Sequence, residues 1–193
     1  MRRALAITAI LACACAPKPP YARPFSVGLL AGGGAASPEG NHRFAPAFAM
    51  GAEVDHRPFG GALVTGVSLS STTSIEGRWN VTSLGLQAKV DALYVVASHF
   101  WTRAPPPLPL RVLFGGRLGV DVSVSQSPLS TQTSPVAPYM LIFPGAQLTL
   151  DTEVPLDNER AFFLVGRAAF DMGLNRDFER WSALVGLGYG WGR

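Results

Sequence analysis

Charged side chains with a regular two-residue spacing are the residues of this sequence that could do chemistry. They lie in segments that alternate large apolar with small or polar residues, and in segment interiors they fall on the small or polar side. Successive strand residues point to opposite faces, so these charges share one face. An unpaired buried charge is costly, but both signs occur here and can pair. We therefore predict a buried charge network formed by Glu53, Asp55, Lys89, Asp91, Arg111, Arg117, Asp121, Asp151, Arg167 and Asp171.

The catalytic arrangement to look for in this sequence is a serine activated by a histidine. Such a site needs the two side chains in contact, with an acid that orients the histidine. The three histidines fall in separate segments: His42 in a loop, His56 in a tight turn and His99 near a strand end. Ser70 and Ser71 are the loop serines that His42 could partner, but no Asp-Ser pair accompanies them. We predict no catalytic activity.

Other ligand chemistries find little support in the sequence. Cysteine and histidine do not cluster, so we predict no metal site and no cofactor. The formal net charge of +3 is too small and too scattered to indicate nucleic acid as a partner.

The N-terminal residues resemble a secretory leader. Arg2 and Arg3 precede a short apolar stretch, and both cysteines follow it, so residues 1–16 are predicted to be a signal peptide. Ile10-Leu11-Ala12-Cys13 resembles a bacterial lipobox, with Cys13 as the residue to be acylated. The other interpretation is an ordinary small-residue cleavage site. Residues 17–24 are rich in proline and are predicted to be a spacer before a single domain at 25–193.

The composition favours a membrane protein without spanning helices. Hydrophobic residues make up 48% of the chain and charged residues 15%, and the mean hydropathy is +0.22. Ordinary soluble domains carry roughly 25% charged residues. No internal stretch approaches the roughly 20 apolar residues of a spanning helix. These values leave a very apolar soluble β protein or a transmembrane barrel.

Two-residue alternation predicts eight strands, an even number, as in single-chain bacterial barrels. Longer and shorter connections alternate along the chain, except for a proline-rich link at 102–107. The predicted strands run approximately over residues 25–31, 44–55, 59–70, 80–100, 108–125, 139–154, 160–172 and 181–191.

The content of the two faces decides which one is inside. A soluble lipocalin-like carrier would place large apolar residues inside and polar ones in water. The polar side here is mostly glycine and alanine with charges of both signs, and the chain has only two lysines, Lys18 and Lys89. That content suits the narrow lumen of an eight-stranded barrel. We predict an all-β, eight-stranded, antiparallel up-and-down transmembrane β-barrel.

The last strand carries a family resemblance. Val185-Gly186-Leu187-Gly188-Tyr189-Gly190-Trp191 resembles the C-terminal signal by which outer-membrane barrels are recognised for assembly, although the chain ends in Gly192-Arg193. Residues 25–191 resemble the small OmpA/OmpX-like barrels. The resemblance implies a monomer in the bacterial outer membrane, in contact with its lipid and lipopolysaccharide and with the barrel-assembly machinery. It also implies a structural, adhesive or binding role of the extracellular loops. The alternatives are a lipid A-modifying enzyme and the soluble carrier.

Overall fold

In the part of the chain that the structure describes, the fold consists of eight strands and one helix. A computed structural model describes residues 23–37, 44–57, 62–75, 79–100, 110–125, 139–157, 161–175 and 178–192. The strands are β1 (Phe25–Ser37), β2 (Ala45–His56), β3 (Leu63–Ser74), β4 (Trp79–Asp91), β5 (Arg111–Ser125), β6 (Tyr139–Pro155), β7 (Phe162–Gly173) and β8 (Glu179–Trp191). Helix α1 (Ala92–Phe100) follows β4 directly. No helix in these ranges has the length and apolar content to cross a membrane.

The strands form a closed barrel. Each pairs antiparallel with its sequence neighbours, and β1 pairs with β8 to complete the ring. Phe25 faces Trp191 at one end of this last pair, and Ser37 faces Glu179 at the other. The predicted all-β, eight-stranded, up-and-down architecture is confirmed.

The predicted fourth strand was too long. It was expected to run from about Asn80 to Phe100, but β4 ends at Asp91 and the chain turns into α1. Asp91 starts the helix, since its Oδ1 accepts a hydrogen bond from the Tyr94 backbone N–H at 3.0 Å. A side-chain oxygen at this position satisfies one of the free donors of the first helical turn. A short apolar run is compatible with either structure in a periodicity analysis, and this explains the error.

Two further boundaries were wrong. β1 continues to Ser37, and β3 runs from Leu63 to Ser74 rather than from 59 to 70. Glycines 32–34 suggested a loop, but they lie within β1. A Cβ at Gly32 or Gly34 would overlap the backbone of β8, so these glycines permit close strand approach instead of a turn.

The two faces of the sheet have opposite chemistry. Large apolar side chains point outward on all eight strands; Leu29 on β1, Leu118 on β5 and Val185 on β8 are each more than 60% exposed. The polar and charged side chains of the same strands point inward and are buried. This is the reverse of a soluble carrier, so the lipocalin-like alternative is excluded.

The two ends of the barrel differ in their connections. The start of β1 and the end of β8 lie at one end, with the links 57–62, 92–110 and 156–161. The links 38–44, 75–78, 126–138 and 174–178 lie at the other. Bacterial barrels have short periplasmic turns and longer outer loops, and we call the first end the inner end and the second the outer end. Link lengths do not follow this pattern throughout: the inner link with α1 is long, and the outer links 75–78 and 174–178 are shorter than the inner links 57–62 and 156–161.

Several expectations fall outside the described residues. They concern the leader with Cys13, most of the 17–24 spacer, and His42. His99 lies in the helical backbone of α1. The leader, its lipobox and the spacer therefore stay predictions.

Candidate functional site

The barrel lumen is where the structure places the predicted charge network. All ten predicted side chains are buried, with exposures between 0% and 9%. Six of the eight strands contribute to the ion pairs described below, β1 and β3 being the exceptions. From the inner to the outer end the charges form three clusters, followed by an apolar layer.

The inner cluster centres on Glu153 of β6. Its carboxylate accepts hydrogen bonds from Arg111 at 2.9 Å and from Arg57 at 3.0 Å. Arg111 also donates through Nε to Asp91 at 2.8 Å. Asp91 thereby connects the lumen to the first turn of α1.

The middle cluster surrounds Lys89 of β4. The Nζ atom lies 2.9 Å from both Glu53 and Asp151, and 3.7 Å from Asp55. Arg167 of β7 donates two hydrogen bonds to Asp151, each 2.7 Å long, and also contacts Glu53. The cluster therefore connects β2, β4, β6 and β7 across the lumen.

The outer cluster centres on Asp171 of β7. Its carboxylate is paired with Arg180 of β8 at 2.7 Å and with Arg117 of β5 at 3.2 Å, and Gln147 of β6 donates to it at 2.8 Å. Arg117 also pairs with Asp121 at 3.2 Å.

Two clusters of apolar side chains also lie in the lumen. Towards the outer end, a layer closes over the charges and is formed by Ala36, Ala47, Trp79, Val81, Phe143 and Phe178. On the β7–β8–β1–β2 side, a second cluster contains Leu30, Ala49, Val165 and Leu184, with Phe163 packed against it. A Cβ at Gly188 would overlap the Phe163 ring, so the ring fits because position 188 is glycine.

Sequence reasoning missed two members of the network. Arg57 pairs with Glu153, and Arg180 pairs with Asp171 and donates to Thr72. Both arginines lie at inward positions of the two-residue repeat: Arg57 continues the repeat of β2, and Arg180 belongs to that of β8. They were overlooked because the predicted second strand ended at Asp55 and the predicted last strand began at Trp181. With them and with Glu153, which has the same parity in its strand as Asp151, the network has six cations and seven anions: Arg57, Lys89, Arg111, Arg117, Arg167 and Arg180 against Glu53, Asp55, Asp91, Asp121, Asp151, Glu153 and Asp171.

This arrangement can hold the barrel together but offers little for catalysis. Each of the carboxylates at the cluster centres already has two or more partners within hydrogen-bond distance. A buried pair contributes little net stability, whereas removal of one partner leaves a charge that is expensive to bury. The network therefore links strands that are not neighbours in the sheet, such as β4 with β6 and β5 with β7.

The described serines and His56 do not form a catalytic group. Ser70 points inward, and Ser71 points outward, where its Oγ accepts a hydrogen bond from Asn80 at 2.9 Å. His56 pairs with Thr65 and Gly51 with Ser70, so five positions of one strand pair separate His56 from Ser70, about 16 Å. His56 instead stacks on Phe25 with the ring centroids 5.0 Å apart.

Aromatic side chains line the inner end of β8. Tyr189 contacts Phe162 with ring centroids 4.9 Å apart, and Trp191 stacks on Phe25 at 6.0 Å. Towards the outer end, Trp181 contacts Phe170 at 4.3 Å. Aromatic girdles at both membrane interfaces are typical of outer-membrane barrels.

The comparisons with known proteins agree with this geometry. The sequence matches no protein-family model. No curated protein matches it either. Among solved structures, the chain is similar to Neisserial surface protein A, with a TM-score of 0.65, 12% identity, and coverage of 86% of this chain and 97% of that one. It is also similar to Ail, the attachment invasion locus protein of Yersinia pestis, with a TM-score of 0.56, 7% identity, and coverage of 88% and 100%.

Another structure of Ail, in complex with the heparin analogue sucrose octasulfate, matches with a TM-score of 0.51 and 8% identity, over 88% of this chain and all of that one. At these identities the likeness concerns the fold. It confirms the predicted resemblance to small eight-stranded outer-membrane barrels. The location predicted from the sequence, the bacterial outer membrane, is consistent with this fold.

Proposed function

We propose that this protein is a bacterial outer-membrane barrel whose outer loops bind partners at the cell surface. The observation that carries the proposal is the different chemistry of the inward and outward faces of the sheet. The lumen charges of the described strands are buried among their own partners, and the exposed face is an apolar belt suited to lipid. Binding chemistry is then left to the links at the outer end.

The link 126–138 is the strongest candidate for the binding segment. It is the longest connection at the outer end, between β5 and β6, and is rich in Ser, Thr and Pro. Conserving a rigid scaffold and varying the loops it carries is a common way to build binding sites. The names of the two similar proteins, a surface protein and an attachment protein, fit an adhesive role.

A loop exchange tests this role. Residues 127–137 are replaced by Gly-Asn-Gly, and the protein is expressed on a non-adherent bacterial host. We expect attachment to cultured cells, or to immobilised sulfated glycan, to fall to the background of the empty host. The matched control replaces 157–160, in the inner β6–β7 turn, by the same tripeptide and should leave attachment unchanged. Unaltered attachment after exchange of 127–137, with the barrel folded on a gel, would contradict the proposal.

Lipopolysaccharide is the membrane partner that we propose for the outer end. Four neutral polar side chains lie on the outward face of β3 and β4 there and bond to one another. They are Ser71, Thr73, Asn80 and Thr82. Hydroxyl and amide groups on this face fit a saccharide headgroup region better than hydrocarbon. Lipid extracts of the purified barrel should contain lipopolysaccharide, and less of it when Asn80 is replaced by Leu.

The enzyme alternative has a direct test of its own. Lipid A from cells that express the protein is compared by mass spectrometry with lipid A from cells that express the His42→Ala and Ser70→Ala variants. We expect identical acylation in all three. An acyl chain gained or lost only with the unaltered protein would overturn the non-enzymatic role.

A further inference from the structure

The outward apolar band is much shorter on β4 than on β5. On β4 it extends from Leu84 to Val90, because Asn80 and Thr82 are polar. At about 3.3 Å per residue and a tilt near 40°, this covers about 15 Å along the membrane normal. On β5 the band extends from Val112 to Val124, about 30 Å by the same measure. The polar residues Asn80 and Thr82 shorten the β4 band at its outer end. At the inner end the band stops at Val90, which faces Phe114, one outward residue before Val112 of β5.

Helix α1 begins where the β4 band ends. Val90 is the last outward residue of β4, and it packs with Val95 against the buried pair Ala62 and Tyr94. Tyr94, which is 1% exposed, fixes one side of the helix to the barrel. On the opposite side, Leu93 is 38% and Val96 is 56% exposed, so the described residues leave this side open.

The composition of α1 matches a lipid environment. Residues 92–100 contain no Asp, Glu, Lys or Arg. Phe100 is the last residue of the helix, and Trp101 comes next in the sequence. Tryptophan is enriched where hydrocarbon meets headgroups.

We propose that α1 lies in the inner leaflet of the membrane as an interfacial helix, with Leu93 and Val96 in contact with phospholipid. The helix continues the lipid-facing surface of β4 at the inner end, where the strand's own band stops. Apolar helices that lie in the interface bury one face to a depth of roughly 5–10 Å. The proposal rests on the membrane placement of the barrel belt and adds a second, helical contact with lipid.

Site-directed fluorescence in vesicles tests the contact. The full-length chain with Cys13→Ala and Cys15→Ala is refolded into phosphatidylethanolamine–phosphatidylglycerol vesicles, so that an added cysteine is the only one. An environment-sensitive dye is attached at Val96→Cys, and Leu93→Cys gives a second site on the same helix side. Quenching is measured with lipids that carry a nitroxide at acyl carbon 5 or 12, and with iodide on both sides of the bilayer.

Two control positions bracket the expected result. Leu86→Cys reports the barrel belt and should be quenched best by the deeper nitroxide. Asp157→Cys, in the inner β6–β7 turn, should be quenched by iodide. We expect dyes at positions 93 and 96 to be quenched most by the shallow nitroxide and to be at least threefold less sensitive to iodide than the dye at position 157.

The outcomes separate this proposal from the proposed function. Iodide quenching at positions 93 and 96 equal to that at 157, with lipid quenching at 86 intact, would overturn the interfacial helix alone. Protection of positions 93 and 96 from both iodide and nitroxide would also overturn it, in favour of a protein partner or a second copy. Loss of lipid quenching at position 86 would instead overturn the membrane belt.

Discussion

Asp171 accepts hydrogen bonds or pairs with side chains from three other strands, namely Arg117, Gln147 and Arg180. A carboxylate shared in this way sets the relative positions of β5, β6, β7 and β8 across the lumen. Its exposure is 0%, so water cannot replace a lost partner. Residues of this kind make the network sensitive to single substitutions.

The losses of stability caused by substituting Asp171 and Arg180 in the outer cluster should not be additive. We expect Asp171→Ala to lower the free energy of unfolding by about 3–5 kcal/mol, because the Arg180 charge stays buried with Thr72 as its remaining hydrogen-bond acceptor. The double variant Asp171→Ala/Arg180→Ala should lose clearly less than the sum of the two single variants. Urea unfolding in lipid vesicles, followed by tryptophan fluorescence, measures both. Strictly additive losses would show that the pair is not coupled.

The inward position of the charges could be predicted because a two-residue repeat leaves only two faces. Arg57 and Arg180 show where this reasoning stopped, since each lies one or two residues beyond a predicted strand end. Which carboxylate pairs with which cation could not be predicted. Lys89 reaches Asp151 across the lumen, and that contact depends on how the sheet curves.

At the scale of elements, strand faces were easier to predict than strand ends. β5 was predicted from 108 to 125 and runs from Arg111 to Ser125, because its alternation is uninterrupted. Helix α1 was missed because its first six residues, 92–97, are all apolar or aromatic and carry no helical repeat of polarity. The tertiary contact of Tyr94 with Ala62 and the hydrogen bond to Asp91 decide its structure.

A cation on the outward face should be penalised according to its depth. Leu118 lies in the middle of the β5 band and Val124 near its outer end. We expect Leu118→Arg to destabilise the barrel by about 2–4 kcal/mol in vesicles and Val124→Arg by about 0–1 kcal/mol. Leu118→Thr is the control for lost apolar surface. Equal costs at the two positions would contradict the orientation of the belt.

At the scale of the whole molecule, the barrel closes only when its last strand is present. Phe25 pairs with Trp191 across almost the whole described chain, and β8 pairs with both β1 and β7. Closing such a long loop is entropically costly and slow without assistance. We propose that the assembly machinery recognises β8 and brings it to β1.

Assembly in cells should depend on the end of β8 more than refolding does. We expect the double variant Tyr189→Ser/Trp191→Ser to reach the outer membrane at a small fraction of the normal level, while the purified chain still refolds in detergent. Gel mobility with and without boiling reports the folded barrel in both settings. The control is Trp181→Ser at the outer end of the same strand. An equal defect in refolding would assign the two aromatic residues to stability instead of recognition.

Lys89 gives the folded state an unusual chemical signature. It is the single lysine between residues 25 and 193, and it is 1% exposed between carboxylates on two sides. Acylating reagents that attack primary amines therefore have no accessible target on the barrel wall while the closed ring of strands is intact. Modification of residue 89 would require the ring to open, so the rate of its acylation would report how often the whole barrel opens.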